Sequence, residues 1–301
     1  MVNRRSVTDF CLPQKFRSPC RGRRLQNMSL TWFATLCLAS LSSDAPEPSQ
    51  TRPACELNIQ EPHLQNALEA MFGSGLVPPG AILDSGAAFG GEACFLASLS
   101  PNRTIYAVEP LRHNLKLLRG RYGQIPNLVT MHGGLGDPSK PMPKKATWNP
   151  DPKLGLPSKI QGIDELVASQ WSAEKAWGFF HLDVEGAELD VIRGGERTIK
   201  RDRPVVTCEL HVLSEPAFTR ELMGFISALG YVTFVVPEIC GGRHDCRNLI
   251  NVPEELANSF RPILRAHARE VSATDIASED AMRLAPRPHS KHARRTHPQG
   301  R

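Results

Sequence analysis

Five acids and two histidines stand at or just past the ends of apolar, strand-like runs in this sequence. Asp84 follows the run Ala81–Leu83, and Glu109 follows Thr104–Val108. His181, Asp183 and Glu185 alternate through the end of Phe179–Val184, and Glu209 and His211 fall near the end of Val205–Val212. Carboxylates so placed attract cations or accept hydrogen bonds from hydroxyls, and a histidine or aspartate beside them can take up a proton. In an open parallel sheet the ligand cleft lies at the carboxyl ends of the strands, where all seven would converge.

Spacing around the first acid narrows the guest. The row reads D-x-G-x-x-x-G from Asp84 through Gly86 and Gly90, with Glu109 following 25 residues after Asp84. A dinucleotide site would read G-x-G-x-x-G, but Ala88 stands where its second glycine belongs. Asp84 would also oppose a pyrophosphate at the start of the next helix. A sulfonium compound such as S-adenosylmethionine reverses that objection. Asp84 would attract its cationic methionine portion, Gly86 and Gly90 would let the backbone curl beneath it, and Glu109 would accept its ribose hydroxyls. The plainer reading, a strand-to-helix turn with a solvated Glu109, stays open here.

The second constellation is "FFHLDVEGAELDVIRGGERTI", Phe179–Ile199. Burying several ionisable groups beside an apolar strand is costly unless they are paired or face a cleft. Acids capping a helix N-terminus would explain Glu185 and Glu188, but explain Asp183 less well.

Positioning these residues requires strands that alternate with helices. Apolar runs at Ala81–Leu83, Thr104–Val108, Leu128–Met131, Phe179–Val184, Val205–Val212, Tyr231–Val236 and Leu249–Val252 predict seven strands. Stripes at Leu64/Leu68/Met71/Phe72, Leu111/Leu115/Leu118, Leu189/Ile192/Ile199 and Phe218/Leu222/Phe225/Leu229 predict helices. The pattern is α/β: a Rossmann-like, mostly parallel sheet with helices on both faces. The spacing before the last run is too short for a crossover helix, so that strand should pair antiparallel. Residues 54–253 form the expected domain. Residues 1–53 read as a targeting and linker segment, and 254–301 as a helix followed by a basic, disordered tail. The Pro/Lys-rich stretch Asp137–Ser158 is either a substrate loop or a disordered insertion.

Charge distribution bounds the partners. The chain has 301 residues and a net charge of +5. Residues 1–53 carry eight Lys/Arg against three acids, 253–301 nine against six, and the middle a net −3. No basic surplus in the middle points to nucleic acid. "LTWFATLCLASL" is too short to span a bilayer but has the length of a signal-peptide core, and the basic segment before it fits a transit peptide as well. A secretory or organellar address is expected, with the compartment open and a cytoplasmic location as the alternative. The eight cysteines form no C-x-x-C pair. Cys94 and Cys208 read as buried small hydrophobes. Cys240 and Cys246 could form a disulfide in an oxidising compartment; with His244 they lack a fourth metal ligand.

The motifs "ILDSGAAFGGEACFLA", "IYAVEP", "GIDELV", "LDVEGAELDVIRGG" and "NLINVP" together resemble the FkbM-type S-adenosylmethionine-dependent methyltransferases, over roughly Ala81 to Pro253. The resemblance implies a class I seven-stranded methyltransferase fold and O-methylation of a hydroxyl on a small molecule, sugar or lipid. It implies cofactor-binding roles for Asp84, Gly86, Gly90, Glu109, Asp183 and Glu185. The chain departs from the family at Ala88, where an asparagine is usual, and at His181, where a lysine is frequent.

Methyl transfer from a sulfonium is an in-line displacement, helped by proximity and by a base for the hydroxyl proton. Asp183, His181 and His211 are the candidate catalytic residues, with Glu209 beside them. No metal is expected, although Asp183, Glu185 and Glu209 are hard-oxygen groups that could hold one. Two other classes remain: a non-catalytic binding module on the same fold, and an NAD(P) or nucleotide-sugar enzyme.

Overall fold

Apolar runs followed by glycine turns and amphipathic stripes build alternating layers, seen in a computed structural model that describes residues 55, 61–140, 159–212, 214–237 and 245–271. Helix α1 (Pro62–Gly73) precedes strand β1 (Ala81–Ser85), helix α2 (Gly91–Leu99), strand β2 (Ile105–Glu109), helix α3 (Arg112–Tyr122) and strand β3 (Leu128–His132). Two short strands, β4 (Gly134–Leu135) and β5 (Ile160–Gln161), pair apart from the main sheet. Helix α4 (Ile163–Ala168), strand β6 (Trp177–Leu182), helices α5 (Glu188–Gly194) and α6 (Glu196–Asp202) and strand β7 (Val205–Leu210) follow. Helix α7 (Pro216–Ala228), strands β8 (Tyr231–Val235) and β9 (Arg247–Pro253), helix α8 (Glu254–Leu264) and strand β10 (Arg269–Val271) complete the chain order.

The main sheet runs β10-β8-β9-β7-β6-β1-β2-β3. Strands β1, β2, β3, β6 and β7 pair in parallel, whereas β9 inserts antiparallel between β7 and β8. The short β8–β9 connection therefore makes the hairpin its length predicts. The sheet has eight strands rather than seven, because β10 adds antiparallel to the β8 edge. Sequence gave no sign of it: Arg269 and Glu270 are exposed and only Val271 is buried. The packed body continues past Pro253, with Phe260 and Leu264 of α8 wholly buried.

Neighbouring strand residues point to opposite faces, so the two cores divide consecutive side chains. Leu83 and Phe180 pack on one face with Leu189, Ile192 and Leu222. Ile82 and Phe179 pack on the other with Leu64, Met71 and Phe260. The stripe Leu189/Ile192/Ile199 spans two helices, not one, broken at Gly194–Gly195. A Cβ on Gly194 would lie 2.1 Å from the Gly136 carbonyl oxygen, so close backbone packing interrupts the helix there. Asp164 of α4 restarts it, accepting from Thr198 N–H at 2.8 Å, Thr198 Oγ1 at 2.7 Å and Arg197 N–H at 3.0 Å.

Cys94 is buried, as its apolar context predicts, but it is not a free thiol. It bonds Cys55 across a separation of 39 residues, with the Cα atoms 5.5 Å apart. Closing a loop of that length stabilises by about 4 kcal/mol on the chain-entropy model. Cys208 is free and buried. Cys246 is disulfide-bonded; Cys240 and His244 lie outside the described residues, as do the targeting segment, residues 141–158 of the excursion and the basic tail.

Candidate functional site

The glycine turn after β1 is shaped by the protein's own backbone. Gly86 has φ +87, and a Cβ there would lie 1.7 Å from the Asp183 carbonyl oxygen, so no other residue fits. Gly90 has φ +88 and presses on α3, where a Cβ would meet Leu118 Cγ at 2.7 Å. Between them Ala88 takes φ +44, a left-handed conformation costing an L-residue about 1–2 kcal/mol. Its N–H donates to Glu109 Oε2 at 2.8 Å. The other oxygen of Glu109 accepts from Leu111 N–H at 2.8 Å and Asn114 Nδ2 at 3.3 Å. Glu109 thus clamps the turn to the start of α3. Three bonds leave it about one of its four lone-pair sites. Burial pushes its carboxyl up to about 7 despite those donors.

Beside this turn, acids crowd at the sheet's carboxyl edge. Asp84 is 1% exposed and its Oδ2 has no hydrogen-bond partner. Burial first, then the negative charges of Glu92, Asp183 and Glu109, push its carboxyl well above the usual range. Asp183, next to Gly86 through its backbone, is raised likewise by burial and by Glu209, Glu185, Glu188 and Glu92. Glu188 holds the intervening loop by accepting from Val184 N–H at 3.2 Å and Gly186 N–H at 3.1 Å. Its second oxygen is buried without a partner, and burial raises it to about 7. Each of these shifts says that the carboxyl holds its proton more tightly than an exposed acid does, and a nearby cation would favour its charged form.

His181 sits on β6, paired in register with Asp84 of β1. Its Nδ1 lies 2.8 Å from Thr207 Oγ1, and that hydroxyl is oriented to donate to the Phe180 carbonyl at 3.3 Å. If that hydroxyl donates to Phe180, it accepts from His181, and the ring proton then sits on Nδ1 with Nε2 left as an acceptor. Burial lowers the imidazole to about 4, so it is neutral.

Glu185 and His211 meet each other instead. Glu185, at φ +53, accepts at 3.1 Å from His211 Nε2, and His211 Nδ1 lies 3.6 Å from Asp245 Oδ2. Neither lines the cleft between α1, α2 and the ends of β6 and β7. The free space in that cleft is about 30 Å³, room for a water-sized occupant. It is lined by His181, Asp183 and Glu209; α2 supplies Glu92, Phe95 and Leu96, α1 supplies Leu64, Gln65 and Leu68, and Glu61 stands just before α1. The fold therefore gathers Asp84, Gly86, Gly90, Glu109, His181 and Asp183 around one edge, and sets Glu185 and His211 in a neighbouring pair.

Several contributors escaped sequence reasoning. Glu92 is visible only as an acid in the first turn after the glycines. Glu61 reaches the cleft by tertiary packing, through Asn248 Nδ2 donating to its Oε2 at 2.7 Å. Thr207, which fixes the histidine tautomer, carries no motif. Among the described residues no group of three His, Cys, Asp or Glu could hold a metal, and no helix is long and apolar enough to cross a membrane.

Residues 84–233 match the methyltransferase FkbM domain. Among solved structures, the chain is similar to a methyltransferase FkbM from Methylobacillus flagellatus, at 20% identity and TM-score 0.43, over 60% of this chain and 47% of that one. It thus spans about half of that protein's length. It is also similar to the O-methyltransferase TomG from Streptomyces achromogenes, at 11% identity and TM-score 0.44, over 63% and 80% of the two chains. An O-methyltransferase from Bacillus cereus is 14% identical with TM-score 0.44, over 67% and 84%. No curated protein matches the sequence.

Proposed function

This chain belongs to the FkbM methyltransferase family through its domain at residues 84–233, and on that premise we propose that it uses S-adenosylmethionine to methylate a hydroxyl of a small molecule, a sugar or a lipid. One observation carries the reading: buried, mutually repelling carboxylates converge where Asp84 Oδ2 has no partner. Such a group is stable when a cation arrives and costly otherwise. A sulfonium with an ammonium group fits that donor set, whereas a phosphate does not.

Asp84 and Asp183 would hold the cationic end of the methyl donor, and the remaining acceptor site of Glu109 a ribose hydroxyl. When bound, S-adenosylmethionine supplies an electrophilic methyl: its C–S bond breaks as a C–O bond forms to the acceptor, and the sulphur keeps the electron pair. The protein's tasks are alignment and the hydroxyl proton. His181 Nε2 accepts that proton's hydrogen bond and aims the oxygen. With its conjugate acid held at about 4, His181 is a poor final resting place for the proton. Asp183, whose carboxyl is raised, is the better acceptor. Glu185 and His211, tied to each other, support the loop beside it.

Calorimetric titration with S-adenosylhomocysteine tests the reading. Wild type should bind, and Glu109→Ala should weaken binding about tenfold or more, through loss of a charge-assisted partner and of the clamp on Ala88. No binding by wild type would favour a non-catalytic module on this fold. We also propose an oxidising compartment for the mature protein, since the Cys55–Cys94 bond and the bonded Cys246 fit one. Thiol labelling of protein isolated unreduced should then leave Cys94 unmodified.

A further inference from the structure

The turn between α2 and β2 carries a motif that methyl transfer does not use. Asn102-Arg103-Thr104 is an N-x-T acceptor sequence, the signature of a surface loop in a secreted protein. Pro101 and Asn102 are exposed, whereas Arg103 and Thr104 are half-buried. Arg103 N–H donates to the Ser100 carbonyl at 3.0 Å, so Asn102 takes the third position of a four-residue turn. That turn is pinned from within. Asn127 Nδ2 donates to the Ser100 and Arg103 carbonyls at 3.1 and 3.0 Å. The Arg103 guanidinium turns inward, donating to the Gly80 carbonyl at 2.6 Å and the Pro78 carbonyl at 2.7 Å. A turn asparagine commonly hydrogen-bonds nearby backbone. The Asn102 amide makes no such bond among the described residues, and neither does the Thr104 hydroxyl. The turn therefore holds its shape without them. The Cys55–Cys94 bond and the bonded Cys246 fit a compartment in which such a motif is modified.

We propose that Asn102 is the acceptor for an N-linked glycan, a role that rests on the oxidising compartment proposed above and not on the methyl donor. The co-reactant is a lipid-diphosphate-linked oligosaccharide. A bond forms between Asn102 Nδ2 and C1 of the first sugar as the C1–O bond to the diphosphate breaks. The diphosphate leaves with the electron pair, and the amide gives up one proton. Because the asparagine is exposed in the folded chain, the bulky product costs the core nothing. The turn precedes β2, and Glu109 ends that strand. The strand alone thus puts about 13 Å between the glycan and the carboxyl edge, so the cofactor edge stays open.

The full chain is translated with endoplasmic-reticulum microsomes, once as it stands and once behind a proven secretory leader. Asn27-Met28-Ser29 is the other N-x-S/T sequence of the chain, so both forms carry Asn27→Gln. The leader-directed chain should be protected from added protease and should lose apparent mass on treatment with peptide-N-glycosidase F. That enzyme leaves aspartate at the modified position, which peptide mass spectrometry should place at Asn102. Asn102→Gln and Thr104→Ala should each abolish the shift, and Thr104→Ser should retain it. The Thr104 variants keep the readout if Asn102→Gln fails to fold. A protected chain with Asn102 unmodified would overturn the proposal, and so would a shift that survives both Asn102→Gln and Thr104→Ala. Modification of the leader-directed chain with none on the chain as it stands would instead remove the compartment reading and leave Asn102 a competent acceptor.

Discussion

Asp84 and Asp164 are two acids of one fold with opposite surroundings. Asp164 takes hydrogen bonds from Thr198 N–H, Thr198 Oγ1 and Arg197 N–H, and adds an ion pair with Arg197 at 3.3 Å. Asp84 is more deeply buried, keeps one oxygen bare, and faces three other acids. Asp164 restarts a helix; Asp84 waits for a charge. A satisfied acid belongs to the architecture, and an unsatisfied one marks the place a ligand completes.

Exchanging the two fates gives the largest effects. Asp164→Ala should cost about 2–3 kcal/mol in urea unfolding, as a lost helix cap with further buried bonds, while the affinity for S-adenosylmethionine stays unchanged. Asp84→Asn should do the reverse. Affinity should fall about thirtyfold to a hundredfold, with the stability of the ligand-free protein equal or higher because a buried charge is gone. Loss of both properties in either variant would break the contrast.

Acidity gives the next effect. Glu109 and Glu188 are raised to about 7 in the fold, against an ordinary value near 4.3 for an exposed glutamate. Between those values the folded state binds more protons than the unfolded one, so stability is fullest at low pH and is lost as pH rises through 7. The ligand-free protein should therefore melt at a higher temperature at pH 5 than at pH 8. Asp84→Asn should flatten that slope. A melting temperature that climbs over the same range would show that the acids are already paired. The smallest effect lies inside the turn. Ala88→Gly keeps the N–H that Glu109 accepts and removes a left-handed alanine, so it should stabilise by about 1 kcal/mol.

The sequence made the parallel strands legible because each is a short apolar run that ends in an acid or glycine, and the helices because their stripes repeat. The β8–β9 hairpin followed from length alone. Gly86 was legible as a glycine but not for its reason, which is the Asp183 carbonyl packed against it. What stayed hidden depends on distance in the chain. Cys55 and Cys94 share no local spacing, and β10 is three residues with one buried side chain. Glu61 enters the cleft from the residue just before the helix that precedes the sheet. The tautomer of His181 hangs on a threonine 26 residues away. Charge arithmetic hinted at the acidic middle of the chain, yet separating the cleft acids from the Glu185–His211 pair required coordinates.

The sulfonium charge is the quantity on which the site turns, and it is what separates S-adenosylmethionine from S-adenosylhomocysteine. Calorimetric dissociation constants for both, at pH 5.5 and pH 8, measure it directly. The preference for S-adenosylmethionine should widen as pH rises, because its cation draws protons off Asp84 and Asp183 that the neutral thioether leaves in place. Identical affinities for the two at both pH values would contradict a cleft built to receive positive charge.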